Sequence, residues 1–348
     1  MSARRVTYAG ARRLTIDTAE PAPPPPGHVR VDVAYTGICG TDLHIFHGDM
    51  DGRVDPPCVI GHEMSGRIAQ VGPDVHDWRP GDHVTVMPLV SCRTCPACRA
   101  GHAHICHRLV FLGIDAAGSM QNTWTVPAAA LVRLPRDLAL DHAALVEPTA
   151  VAVHDVRRAE LRPGEKAIVV GGGPIGLLIG IVARRSGADV LLVEPDPYRR
   201  SVAEGLGLTV ADPSGAGIAA IVERWTGGAG AAVAFEVSGA AAGVATAVDS
   251  LATRGRMVQV AIHPVAREVS LHRFFWRELT LLGARLYDRA DFETAVGLIA
   301  EGEIPARTLI SRVEPLDRAA QAFAALESGA GVMKILVDCG ANGKAGAR

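Results

Sequence analysis

Apolar and polar side chains alternate along Val29-Arg30-Val31-Asp32-Val33-Ala34-Tyr35, the period of a strand with one buried face. The proline-rich stretch 21–27 before it cannot lie inside a helix. Short apolar runs at 59–60, 65–71 and 83–87, separated by Gly and Pro turns, predict a small β-rich, barrel-like N-terminal domain. After Gly164 the pattern changes to uniformly apolar runs at 167–170, 189–193, 208–210, 231–237 and 256–261 with helical stretches between them. Strands that alternate with helices predict a parallel sheet, with 279–283 as its sixth strand. The helix over 174–185 begins at a proline and stops before Gly187. Beyond Arg285 come an Ala-rich helix over 319–327 and a closing strand over 334–337.

Length and composition fit two hydrophobic cores: 348 residues, 48% apolar, 21% charged and 38 glycines. With 35 basic and 37 acidic side chains, no net field favours nucleic acid or an anionic membrane, so a small molecule is the expected partner. The basic start lacks the apolar stretch of a signal peptide. The longest uncharged run, 167–183, carries five glycines and a proline. It falls short of the roughly 20 predominantly apolar residues that span a bilayer. A cytoplasmic protein is expected.

Seven cysteines stand at 39, 58, 92, 95, 98, 106 and 339. Cys92, Cys95, Cys98 and Cys106 are spaced so that one loop can wrap a tetrahedral ion, and zinc is its natural occupant. Four sulfurs would fill every position and make the site structural. His102, His104 and His107 beside it are expected to be bystanders.

The run Ile168-Val169-Val170 leads straight into Gly171-Gly172-Gly173-Pro174-Ile175-Gly176 and a helix, the strand-turn-helix setting of a dinucleotide fingerprint. Gly171 permits the tight turn, Gly173 lets backbone approach a pyrophosphate, and Gly176 lets helix pack on strand. The helix N-terminus at Pro174 and Ile175 then faces negative phosphate. Glu194, 18 residues beyond Gly176, is placed to accept from adenosine ribose hydroxyls and to repel a 2′-phosphate, which favours NAD. Arg199 and Arg200 keep NADP open.

The third constellation is Gly37-Ile38-Cys39-Gly40-Thr41-Asp42-Leu43-His44 followed by Gly61-His62-Glu63-Met64-Ser65-Gly66. Alone, Cys39 and His62 are residue types found more often as packed core side chains than as ligands.

In this order the three constellations resemble the medium-chain zinc alcohol dehydrogenase family over nearly the whole chain. The nearest branch is similar to polyol dehydrogenases acting on sorbitol, butanediol or threonine. Val-Gly-Pro-Asp-Val (71–75), Pro-Gly-Asp-His-Val (80–84) and Val-Glu-Pro-Thr-Ala-Val-Ala-Val-His (146–154) add to the match. The resemblance implies an α/β protein with a GroES-like catalytic domain over 1–150 and 286–348, interrupted by a Rossmann doubly wound domain over 151–285. It implies one catalytic and one structural zinc, NAD, a homodimer or homotetramer, and hydride transfer between a secondary alcohol or vicinal diol and the nicotinamide. Cys39 and His62 look like catalytic zinc ligands. Glu63 resembles a carboxylate that binds directly, through water, or from behind the ligands, and Glu147 stands where this branch places a glutamate ligand. Thr41 resembles the hydroxyl that hands on the alcohol proton, and His44 the imidazole that takes it to solvent. Amino-alcohol oxidation of the threonine 3-dehydrogenase kind and a non-catalytic NAD- and zinc-binding protein are the alternatives. The chain departs from the family at Gly118-Ser119-Met120-Gln121-Asn122-Thr123-Trp124, where many relatives carry Gly-Phe-Ala-Glu-Tyr, so pocket and subunit details do not transfer there.

Overall fold

The computed structural model describes residues 2–214, 217–329 and 331–340. It divides into two compact units: Met1–Glu147 with Asp288–Arg348, and Pro148–Tyr287.

The first unit is organised around the strand His28–Gly37, whose Val29, Val31 and Val33 are buried as their alternation predicts. Glu63–Val71 pairs antiparallel along one edge of it, while Thr123–Pro127 and Lys334–Asp338 share the other. His83–Val86 and Leu131–Arg133 extend the sheet on one side and Ile310–Pro315 on the other, giving seven strands. A separate hairpin of Ala3–Tyr8 and Leu14–Ala19 pairs with Cys58–Val59. The charged faces of Ala3–Tyr8 and Leu14–Ala19 hide them from an apolar-run reading, and neither was anticipated. Glu63–Val71 begins two residues ahead of the expected run, which sets Glu63 opposite Gly37 in the ladder.

The second unit is a six-stranded parallel sheet in the order Thr209–Ala211, Asp189–Val193, Lys166–Val170, Ala231–Glu236, Leu251–Gln259, Thr280–Gly283. The first strand in the chain lies third in space, the doubly wound arrangement in which ligands sit beyond the carboxyl ends of the strands. Ile168, Val170, Leu191, Val193, Ala234 and Met257 supply its core. Among the described residues no helix is long and apolar enough to cross a membrane.

Candidate active site

The helix Gly40–His47 starts at Cys39, and the Asp42 carboxylate in its first turn accepts from the Cys39 N–H at 2.8 Å. That bond closes one of the orphan donors of a helix start and fixes the backbone bearing the thiol. His62 arrives from Ile60-Gly61, 2% exposed, with its ring against the edge of Phe111. Its Nδ1 faces Asp42 Oδ1 at 3.7 Å. A sulfur of Cys39, a ring nitrogen of His62 and a carboxylate oxygen of Glu63 lie within 4.8 Å of one another. Burial alone would favour neutral imidazole, but the charge of Asp42, then Cys39 and Glu147, outweighs it and holds His62 well above its usual range. A half-buried thiol meeting a buried imidazole and carboxylates forms a donor set suited to zinc, whose charge would settle the repulsion among these anions.

Glu63 does not stand alone. Lys334 Nζ donates to both of its oxygens, each at 2.8 Å, and to the Ile38 carbonyl at 3.2 Å. Gly37 makes room for this pair, since a Cβ there would sit 2.2 Å from Glu63 Oε2. Glu147 lies in the first turn of the helix Val146–Arg158, 4% exposed. It is outside the 4.8 Å group, although its charge reaches His62 and Lys334. Thr41 is partly buried in the same first turn as Asp42. His44, one turn on, has a side chain 45% exposed, and its Nδ1 lies 3.0 Å from Asp49 Oδ2.

The four-cysteine loop closes on itself. Sulfur separations are 3.5 Å for Cys95–Cys98, 3.8 Å for Cys95–Cys106 and 3.4 Å for Cys92–Cys106. A disulfide needs about 2.05 Å. A tetrahedral zinc with bonds of about 2.3 Å would set its sulfurs about 3.8 Å apart, close to the observed spacing. Hydrogen bonding from the Thr94 backbone and then from Arg108 draws the Cys92 thiol down to about 5, whereas burial and the neighbouring thiols push Cys98 up to about 12. Four adjacent sulfurs cannot all ionise without a cation among them.

In the second unit the glycines form the expected turn. Gly171 has φ 110°, and a Cβ on Gly176 would lie 1.8 Å from the Gly171 carbonyl oxygen. Around a Cβ on Gly173 the nearest atom is Arg199 Nη1 at 3.8 Å, which leaves an open cradle at the N-terminus of Pro174–Arg185. The Glu194 carboxylate accepts from Gly172 N–H at 2.6 Å and from Asp196 N–H at 2.8 Å. Each oxygen retains a lone pair for a ribose hydroxyl. Arg199 Nη1 stands 3.9 Å from Glu194, and Arg200 is occupied by Asp212 at 2.9 Å and by the carbonyls of Glu194 and Pro195.

Two participants were not singled out from the sequence. Asp42 carried a usable signal, because an acid three residues after an N-cap position is a capping pattern. Lys334 carried none. The departing segment has a scaffold role: Gly118, Ser119 and Met120 donate backbone bonds to Val59, Gly61 and Ile60, the residues leading into His62.

Residues 25–136 match the family model of the alcohol dehydrogenase GroES-like domain and 174–301 that of the zinc-binding dehydrogenase. The chain is 48% identical to a 2-dehydro-3-deoxy-L-galactonate 5-dehydrogenase of Pseudoalteromonas atlantica, over 96% of this chain and 98% of that one. A solved 2R,3R-butanediol dehydrogenase of Bacillus subtilis superposes with a TM-score of 0.90 at 32% identity, covering 97% of this chain and 99% of that one. A structure from Sinorhizobium meliloti bound to NADP, described as a zinc-binding dehydrogenase, gives 0.90 at 30% identity, with 97% and 99% covered. With its glycine cradle, its sulfur loop and its Cys39-His62-Glu63 group, the chain belongs to the zinc-dependent medium-chain alcohol dehydrogenases, in their polyol dehydrogenase branch.

Proposed function

We propose that this oxidoreductase interconverts a secondary hydroxyl and a ketone on a polyhydroxylated acid, with NAD as hydride partner. The observation that carries the reading is the convergence of half-buried Cys39 with buried His62 and Glu63. Cys39 and His62, with the carboxylates of Glu63 and Glu147, would hold a catalytic zinc, and Cys92, Cys95, Cys98 and Cys106 a structural one. The first ion supplies Lewis acidity that makes an alcohol hydroxyl acidic near neutral pH, and the nicotinamide supplies the hydride acceptor. Thr41 receives the substrate proton at its hydroxyl oxygen while donating its own onward, and His44 delivers it to water, which its exposure and its partner Asp49 suit. The sugar-acid preference is supported by the name of the 48% identical relative.

NAD is favoured over NADP because the Glu194 carboxylate borders the ribose position and Arg199 is already drawn towards it at 3.9 Å. Phosphates would lie on Gly171, Gly173 and the helix start at Pro174, Ile175 and Gly176. The catalytic domain would comprise 1–150 and 286–348 and the dinucleotide domain 151–285, in the cytoplasm, where thiols stay reduced for metal. A homo-oligomer is supported by exposed apolar side chains, Leu271, Phe275 and Trp276 on the helix Leu271–Arg277 at 77%, 79% and 73%, and Leu281 on the edge strand Thr280–Gly283 at 51%.

The deciding experiment follows NADH or NADPH absorbance while the purified, zinc-replete protein is offered sugar acids, sugar alcohols, vicinal diols and threonine. Turnover with NAD is expected to be highest on a sugar acid. Two bound zincs per chain with no turnover of any alcohol would leave a binding protein instead.

A further inference from the structure

Glu236 ends the strand Ala231–Glu236, and its buried side chain meets five donors. Oε1 accepts from the N–H groups of Ser238 and Gly239 at 3.0 and 3.1 Å and from the Ser238 hydroxyl. Oε2 accepts from Gln259 Nε2 and His263 Nε2, each at 3.0 Å. The second ring nitrogen of His263 lies 3.1 Å from Arg267 Nε. A guanidinium only donates, so Nδ1 accepts, the ring proton sits on Nε2, and the imidazole is neutral. Cation, neutral ring and anion therefore run in series, with the His263 side chain 13% exposed. Among the described residues, Glu236 and Arg267 are the charged groups that face this ring.

The series fastens neighbouring pieces of the carboxyl edge of the parallel sheet. Ser238 abuts the phosphate turn, since a Cβ on Gly171 would lie 2.9 Å from its nitrogen. Ser238 and Gly239 hang on Glu236, and so does the irregular stretch 260–267 through His263 and Arg267. The N–H groups of Val260 and Ala261 add bonds to the Glu236 carbonyl, each at 3.0 Å. In a doubly wound sheet with the adenosine half at Glu194, the other mononucleotide falls across the ends of Ala231–Glu236 and Leu251–Gln259. We propose that His263 is a positioning residue for the nicotinamide half of the dinucleotide: as a neutral imidazole it bridges Arg267 to Glu236 and holds 260–267 in its binding shape, and a second proton on the ring breaks the bridge. A proton added at Nδ1 sets two N–H groups of like charge face to face, which frees the Arg267 end of the stretch while Nε2 still donates to Glu236.

This inference rests on the dinucleotide reading above, and its test separates the two. NADH affinity of the zinc-replete protein is measured by titration calorimetry between roughly pH 8 and roughly pH 5.5, across which imidazoles gain a proton, with NADPH and ADP as further probes. Binding of neither NADH nor NADPH at the alkaline end would overturn the dinucleotide reading together with this one. The parent should lose NADH affinity about tenfold on the acid side, the scale of one hydrogen bond to a charged group. His263→Gln has an amide that donates to Glu236 and accepts from Arg267 but gains no proton. It should match the parent within about twofold at the alkaline end and show no acid-side fall. Arg267→Met, which removes the like charge, should flatten the profile as well. ADP, which lacks the nicotinamide half, should bind the parent and His263→Gln alike, with no acid-side fall in either. A flat parent profile, a fall that persists in either variant, or one that ADP shows equally refutes the role assigned to His263.

Discussion

Asp42 Oδ1 lies 3.7 Å from His62 Nδ1, with the carboxylate wholly buried and the imidazole nearly so. The other oxygen of Asp42 accepts from the Cys39 N–H. One side chain therefore sets the backbone of one candidate ligand and stands beside the ring of the other. Outer partners of this kind typically govern metal affinity by 10–100-fold. Asp42→Asn should accordingly weaken retention of one zinc per chain by about that factor, measured by competition with a chromogenic chelator, and leave the second zinc in place.

Cys39→Ala removes the thiolate from the catalytic group of the first unit. Turnover should vanish and zinc content fall from two to one per chain. Nicotinamide binding, read by quenching of tryptophan fluorescence, should change less than about threefold, since sites without shared partners act additively. A large loss of cofactor affinity would show that Cys39 serves the fold.

Gly176→Ala places a carbon 1.8 Å from the Gly171 carbonyl oxygen. Backbone must shift to admit it, at a cost of about 1–3 kcal/mol, and the phosphate cradle shifts with it. NADH affinity measured by titration calorimetry should drop at least roughly tenfold, the equivalent of about 1.4 kcal/mol. Unchanged affinity would remove the dinucleotide role from this turn.

Cys106→Ser breaks the loop in which Cys106 sulfur neighbours both Cys92 and Cys95. A closed zinc site contributes its binding energy to folding, so the melting temperature should fall and one zinc should be lost, with the Cys39-dependent zinc retained. Retention of two zincs after this change would show that the loop is not a metal site.

Glu165 provides a pH test away from any metal. Burial raises its carboxyl pKa, but the Arg256 guanidinium at 2.6 Å and the Arg162 N–H outweigh that and hold it below the usual 4.5. A depressed folded value means the contribution is present above the unfolded pKa and disappears as pH falls through the folded one. The difference in melting temperature between the parent and Glu165→Gln should be widest near neutrality and close below about pH 4. A difference independent of pH would assign the effect to packing.

Much of the fold was legible because the central strands are nearly pure apolar runs. Lys166–Val170 and Asp189–Val193 fall within a residue of their expected bounds. The hairpin Ala3–Tyr8 with Leu14–Ala19 escaped notice because Arg4, Arg5, Asp17 and Thr18 interrupt its apolar positions. Leu251–Gln259 begins five residues ahead of its expected start, at a stretch containing Thr253, Arg254 and Gly255 that reads as a turn.

By itself the sequence determined those features whose geometry is confined to a short stretch of chain. The sulfur loop closes within fifteen positions and the phosphate turn within six, so residue type and spacing suffice. Tertiary structure alone decided which distant groups meet. Lys334 reaches Glu63 across 271 positions because the final strand pairs beside His28–Gly37, and no local preference records that pairing. A charge on the last strand thus became the partner of a carboxylate near the first cysteine, since a lysine buried there is tolerated only with an anion to face.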